Sequence, residues 1–315
     1  MRGKTMRDKT MRGAPKIALR LASAILVWAL AARPAQAEPG PACKNPDALG
    51  VSRTIGIGAA GGLHIGQKTY PQTLALADKE IVLTFDDGPL PGLTDKALDA
   101  LAAECVRAVF FFIGRNAQAN PQLVQRAQRE GHTIGSHSWS HPARTLRGIS
   151  EAAAIEEIRR GAEAVQRASS LLPQDASRPA TAFFRFPGFA DTPQTLAFLD
   201  AQGAAVFGAD LWASDWLVQK PAAELELTMK RLNASRGGIL LLHDIRAQTI
   251  AMLPALLRRL KREGFRIVQV KPGSGRPALK GAPPGWKSQT DGLVPYRARQ
   301  TGAVPGSPEP QASGG

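Results

Sequence analysis

From Ile81 to about Val270 short apolar runs, rich in β-branched and aromatic residues, alternate with segments whose apolar positions recur at helical spacing. The strand candidates are Ile81 to Phe85, Ala108 to Ile113, His132 to Ser136, Thr181 to Phe186, Ala204 to Ala209, Gly238 to Leu242 and Phe265 to Val270. The segments between them read as helices. Asn120 and Pro121 open one and Gly131 closes it; another starts near Ser150 with Ile155, Ile158, Ala162 and Val165 on one side. The last carries Met252, Leu253, Leu256, Leu257 and Leu260 on one face and stops at Gly264. Strand and helix in alternation predict βα units on a parallel sheet. About seven such units are too compact for a regular eight-fold barrel of about 250 residues, so the expectation is an α/β fold, a distorted or incomplete (β/α) barrel of about seven parallel strands. A doubly wound open sheet is the alternative; no GxGxxG follows the first strand, which removes its dinucleotide-binding form.

The flanks differ from this core. Residues 1–37 read as a secretory leader: a basic stretch, the apolar run Leu21 to Ala32, then Ala35 to Ala37 as a small-residue cleavage site. Twelve apolar residues are short for a bilayer span, so no stable membrane span is expected after cleavage. The near-repeat with Met1, Met6 and Met11 suggests that translation starts at Met11. Residues 38–74 form an extension, 75–271 the catalytic-type domain, and 272–315 a Pro/Gly-rich stretch read as a disordered tail.

Charge changes little once the leader is set apart. The chain has a net charge of +14, but residues 1–37 hold eight Lys/Arg against one acid, leaving 32 basic and 25 acidic residues, a net +7. That suits an anionic envelope polymer without requiring nucleic acid, for which no zinc-finger, helix-turn-helix or RNA-binding signature is present. Cys43 and Cys105 are either one disulfide of an exported protein or two buried thiols, and neither sits in a CxxC pair.

The polar residues fall just beyond the carboxyl ends of strands: Asp86 and Asp87, His137 and His141, Arg185, Asp215, and His243 with Asp244. In a parallel barrel such positions converge on one face. The i, i+4 spacing of His137 and His141 places two imidazoles on one side of a helical turn, and with a carboxylate from the first strand they make a two-His, one-carboxylate metal site. The adjacent pair Asp86 and Asp87 otherwise repel; a cation offsets that repulsion, so that one carboxylate ligates and the other stays ionised as a base paired with a guanidinium such as Arg185.

The ordered set "TFDDGP", "HSWSH", "RFPG", "SDW" and "LLLHD" resembles the polysaccharide deacetylases of the NodB-homology type, carbohydrate esterase family 4, over about residues 79 to 270. The resemblance implies a distorted (β/α) barrel and metal-dependent removal of acetyl groups from N-acetylated, or sometimes O-acetylated, sugars. It implies Asp86 as base, and Asp87, His137 and His141 as ligands of a divalent metal, usually zinc. Arg185 would hold the base, His243 would be the general acid and Asp215 its partner. Pro187 and the Gly188 amide would serve the oxyanion, and Trp216, Leu240 and Leu242 would line the acetyl pocket. Two departures stand out: Gly188 replaces an aromatic residue of the third motif, and Trp212 stands where the fourth often has an earlier aspartate, with Asp210 nearby. Asp244, His64 and His132 are expected to be structural; Trp139 and Trp212 suit sugar stacking or the core equally, and only Trp216 is assigned to the site. The expected partner is an acetylated glycan such as peptidoglycan or a chitooligosaccharide, met by an exported monomer.

Overall fold

The computed structural model describes residues 43–169 and 181–291. The leader, the Met11 start and the tail from residue 292 onward lie outside the described residues. In chain order the elements are β1 (Arg53–Ile57), β2 (Leu63–Ile65), β3 (Gln72–Leu74), β4 (Glu80–Asp86), α1 (Thr94–Ala103), β5 (Val109–Phe112), α2 (Gly114–Ala119), α3 (Pro121–Arg129), β6 (Thr133–Ser136) and α4 (Glu151–Ser169). After residues 170–180 come β7 (Phe183–Phe184), a 3-10 turn (Pro187–Phe189), α5 (Pro193–Ala201), β8 (Ala205–Phe207), β9 (Leu211–Trp212), α6 (Pro221–Ser235), β10 (Gly237–His243), α7 (Ala247–Arg262), β11 (Arg266–Pro272) and β12 (Leu279–Gly281).

Ten strands form one sheet in the order β1-β11-β4-β5-β6-β7-β8-β2, with β10 pairing both β4 and β9. Its ladders are parallel. Alternation along β4 shows two covered faces: Ile81, Leu83 and Phe85 pack with Leu98 of α1 and Leu253 and Leu256 of α7, while Val82 joins Val109, Phe111, Phe207 and Ile239 in a second cluster. That second cluster is the barrel interior, filled by side chains from several strands. The barrel is distorted at one seam. β8 pairs β2 and β9 pairs β10, and no ladder joins β8 to β9 among the described residues.

All seven expected strands are present. The flanks, however, are more ordered than their composition suggested. Within the extension, β1 pairs β11 and β2 pairs β8, so it supplies two strands of the sheet. Cys43 and Cys105 form a disulfide, closing 62 residues of chain. The disordered-tail reading does not hold for residues 272–291: β12 pairs antiparallel with β3, and Trp286 Nε1 donates to the Gln67 carbonyl at 2.8 Å. Each flank satisfies the other's backbone groups, which composition alone does not reveal. No helix among the described residues is long and apolar enough to cross a membrane.

Candidate active site

The mouth of the barrel is assembled from strand ends in register. Asp86 closes β4 directly beside His243, which closes β10, and beside Phe111 of β5. Because residues side by side in a parallel ladder share a face, the base-type carboxylate and the last histidine both point inward. Asp87, next in the chain, is turned by a left-handed backbone (φ 79°), and the Asn116 amide fixes it by donating to its carbonyl at 2.9 Å. Gly88 follows against Asp244, where an added Cβ would lie 2.1 Å from a carboxylate oxygen, so only glycine fits. Asp244 itself accepts from Thr94 Oγ1 at 2.6 Å, and burial pushes its carboxyl up to about 7. It sits under the loop, as expected of a structural group.

His137 and His141 do converge, with ring centroids 5.2 Å apart, but not on a helical turn. The segment is a loop with left-handed residues at Ser138 (φ 63°) and His141 (φ 52°). It is pinned from both sides: the Gly114 and Arg115 amides of α2 donate to the Ser138 and Trp139 carbonyls, and Glu157 of α4 accepts from Ser140 N and Oγ, each at 2.8 Å. Gly161 of α4 lets this loop approach, since a Cβ there would be 2.3 Å from the Ser138 carbonyl carbon. Trp139 lies beneath the Arg160 guanidinium at 3.7 Å and takes no part in the mouth.

The donor set is poised for a cation. Asp87 Oδ1 lies 3.5 Å from His137 Nε2 and 3.7 Å from His141 Nε2, and is buried with no hydrogen-bond partner among the described residues. The three ligand atoms lie within 4.8 Å of one another. His137 Nδ1 donates to the Arg185 carbonyl at 2.8 Å, which leaves the Nε2 lone pair facing Asp87. Burial, then the neighbouring His141, pushes the His137 imidazole down to about 3, so it is neutral and able to ligate. An orphaned carboxylate oxygen between two imidazole nitrogens fits a divalent metal.

Two ion pairs flank this cluster. Arg185, fully buried, donates to Asp86 Oδ1 at 2.8 Å, to Thr84 Oγ1 at 2.8 Å and to the Phe207 and Gly208 carbonyls. Burial raises the Asp86 carboxyl above its ordinary value, although Arg185 and His243 act to lower it. Across the mouth, Asp215 Oδ1 accepts from His243 Nδ1 at 2.8 Å and Oδ2 accepts from its backbone amide at 2.7 Å. Burial works against the charged imidazole, but Asp215, with Asp87 and Asp86 behind it, outweighs burial and carries His243 up to about 10.

Pro187 is buried and Gly188 exposed at the rim, with Gly188 at φ 61°. The aromatic residue absent at Gly188 reappears one position on: Phe189 packs on Trp212, which meets Trp216, whose ring stands edge-on to His243 at 6.2 Å. Leu240 and Leu242 do not line this patch. They point outward into the helix-facing cluster, whereas Leu241, on the face shared with His243, packs with Phe189, Trp212 and Trp216. Strand alternation makes this correction: with His243 pointing in, Leu241 must point in also. Sequence reasoning also missed Thr84 and Thr249, buried hydroxyls bonded to Arg185 and Asp215. Asp210 accepts from Gln67 N, Thr73 Oγ1 and Ile239 N, each at 2.8 Å, near the opposite end of β10, and so does not substitute in the mouth. His64 pairs with Asp200 at 2.8 Å, and buried His132 accepts from the Ala108 amide.

The fold is shared with peptidoglycan deacetylase Bd3279 of Bdellovibrio bacteriovorus, with TM-score 0.62 and 26% identity over 80% of this chain and 65% of that one. Residues 74–206 match the polysaccharide deacetylase family. A peptidoglycan-N-acetylglucosamine deacetylase of Bacillus cereus is 33% identical over 61% of this chain and 87% of its own length. The chain therefore belongs to the polysaccharide deacetylase family, the NodB-homology group that its motifs resemble. It spans only 39% of the peptidoglycan-N-acetylglucosamine deacetylase PgdA of Listeria monocytogenes, to which it is 32% identical over 62% of its residues.

Proposed function

We propose that this chain is an exported, metal-dependent deacetylase that hydrolyses the N-acetyl group of amino sugars in a polysaccharide, peptidoglycan before chitin-type oligomers. The observation that carries this reading is Asp87 Oδ1, without a hydrogen-bond partner among the described residues and facing two imidazoles, set between an Asp86–Arg185 pair and an Asp215–His243 pair. A divalent metal held by Asp87, His137 and His141, zinc by the chemistry of the donors, would polarise the acetyl carbonyl and acidify a water.

The chain's own residues supply the rest. Asp86, its Oδ1 held by Arg185, keeps Oδ2 to take a proton from the attacking water. The Gly188 amide, at the exposed rim, donates to the oxygen on which negative charge develops. His243, oriented through Nδ1 by Asp215, protonates the departing amine from Nε2, so that water and the amide become acetate and a free amino sugar. Leu241, Trp212 and Trp216 form the apolar wall on the His243 side. The relatives' printed activities on N-acetylglucosamine support the choice of an amide substrate, and the leader and the Cys43–Cys105 disulfide support export.

The test is acetate release by zinc-loaded protein from peptidoglycan, chitooligosaccharides and acetylxylan side by side. Acetate and new amines from the first two are expected. Acetate from acetylxylan alone would move the reading to ester cleavage, and none from any substrate, with metal bound, would leave a non-catalytic wall-binding protein.

A further inference from the structure

Behind the Asp215–His243 pair lies a second carboxyl that the reaction above does not use. Glu224, in the first turn of α6, is fully buried. The Thr249 hydroxyl of α7 stands between the two acids, 2.9 Å from Asp215 Oδ2 and 2.8 Å from Glu224 Oε1. Glu224 Oε2 has no hydrogen-bond partner among the described residues.

Proton counting constrains this chain. Thr249 has one hydrogen for two carboxylate contacts, so one contact needs a proton on the acid. Asp215 already accepts from His243 N and Nδ1 and is held below its ordinary value by His243, against the effect of burial. It therefore stays ionised and takes the Thr249 hydrogen. Glu224 must then donate to Thr249 Oγ1. We propose that Glu224 is a positioning residue of the Asp215–His243 pair: its neutral carboxyl donates to the Thr249 hydroxyl, which is thereby committed to Asp215.

The surroundings agree. The charged groups acting on Glu224 are Asp215, from the loop after β9, and His243, at the end of β10; Thr249 faces it from α7, and Thr228 lies one turn along α6. Burial, with Asp215 adding to it, raises the Glu224 carboxyl to about 7, against the pull of Thr249 and His243. A first-turn position favours ionisation, but among the described residues no N–H reaches either Glu224 oxygen to replace lost water. Below that pH the four groups are linked without conflict: Glu224 donates to Thr249, and Thr249 and His243 both donate to Asp215. Above it the hydroxyl is shared between two anions and its hold on Asp215 loosens.

The inference rests on the deacetylase reading only for its kinetic consequence, so the experiment has an arm without substrate. Carboxyl carbon NMR of the zinc-loaded full chain labelled in glutamate, with the Glu224 signal assigned by its loss in Glu224→Gln, should show a neutral carboxyl at about pH 6 that ionises near pH 7. A carboxylate already ionised at about pH 5.5 overturns the proposal, whatever the protein's activity. In the kinetic arm, Thr249→Val should lower kcat about ten-fold with KM unchanged, and Thr249→Ser should restore most of it. Equal losses in the two variants would mean that Thr249 acts by packing, and would overturn the chain. The ratio of wild-type kcat to that of Glu224→Gln, whose amide is a permanent donor, should fall several-fold from about pH 6 to 8; a flat ratio overturns the role assigned to the proton.

Discussion

The two ends of the barrel carry carboxylates in opposite condition. At the amino end Asp210 is saturated: three donors reach its two oxygens, joining β10 to the β2–β3 loop and to β3. At the carboxyl end, just after β4, Asp87 presents a buried oxygen with no hydrogen-bond donor among the described residues, between two histidines. Backbone strain divides similarly. Left-handed non-glycine residues gather at the mouth, at Asp87, Ser138, His141, Phe189 and Ser214, each in a segment that places a site side chain or its neighbour. The base has fewer of them, such as Lys79 and Arg236. Burial alone therefore does not separate structural from reactive carboxylates, and neither does one unmet oxygen, which Asp244 and Glu224 also carry; what marks Asp87 is an unmet oxygen facing two imidazole nitrogens in a strained segment.

The largest effect should come from breaking the mouth in two distinct ways. His141→Ala removes one of three ligand atoms and should abolish both metal content and activity. Asp86→Asn keeps the three proposed ligands and the shape of the pair with Arg185 but removes the proposed base, so metal content should persist while kcat falls on the order of a thousandfold. Metal analysis beside kinetics checks this, and equal metal loss in the two variants would mean that the roles of Asp86 and Asp87 are exchanged.

Much of this division was legible in the sequence, because long strands buried on two faces leave continuous apolar runs and parallel topology sends the residues after them to one end. Strands β2, β9 and β12, of two or three residues, leave no period to read. The His137–His141 spacing suited a helix, yet α2 and α4 hold that loop in a left-handed path, a tertiary effect that local spacing does not carry. Leu240 and Leu242 were placed on the wrong face although the signal was available: His243 facing in puts Leu241 in. Glu224 and Thr249 had no such signal, since α6 and α7 bring them beside Asp215 only through packing.

A smaller effect should come from the saturated end. Asp210→Asn replaces one accepting oxygen with an amino group and leaves at least one of Gln67 N, Thr73 Oγ1 or Ile239 N unpaired, at a cost of about 2–3 kcal/mol. In a domain of this size that lowers Tm by roughly 5–10 °C. Metal content and KM should stay at wild-type levels. Loss of metal from the folded variant would show that the two ends are coupled and would remove the distinction drawn between them.

The smallest effect tests whether strain at the mouth serves the backbone or the substrate. Gly188 sits at φ 61°, and an added Cβ would come 3.3 Å from the Thr145 methyl group, a contact that a small shift relieves. Gly188→Ala should therefore cost mainly the left-handed conformation of an L residue, about 1 kcal/mol, or roughly 2–4 °C in Tm. Because the alanine backbone can still hold that conformation, the amide should keep its direction and kcat should fall less than ten-fold. The opposite pattern, unchanged Tm with kcat lost, would mean that Gly188 is there to admit the sugar rather than to permit the turn. The groove would then owe its shape to the missing side chain at Gly188 rather than to the shift of the aromatic ring to Phe189.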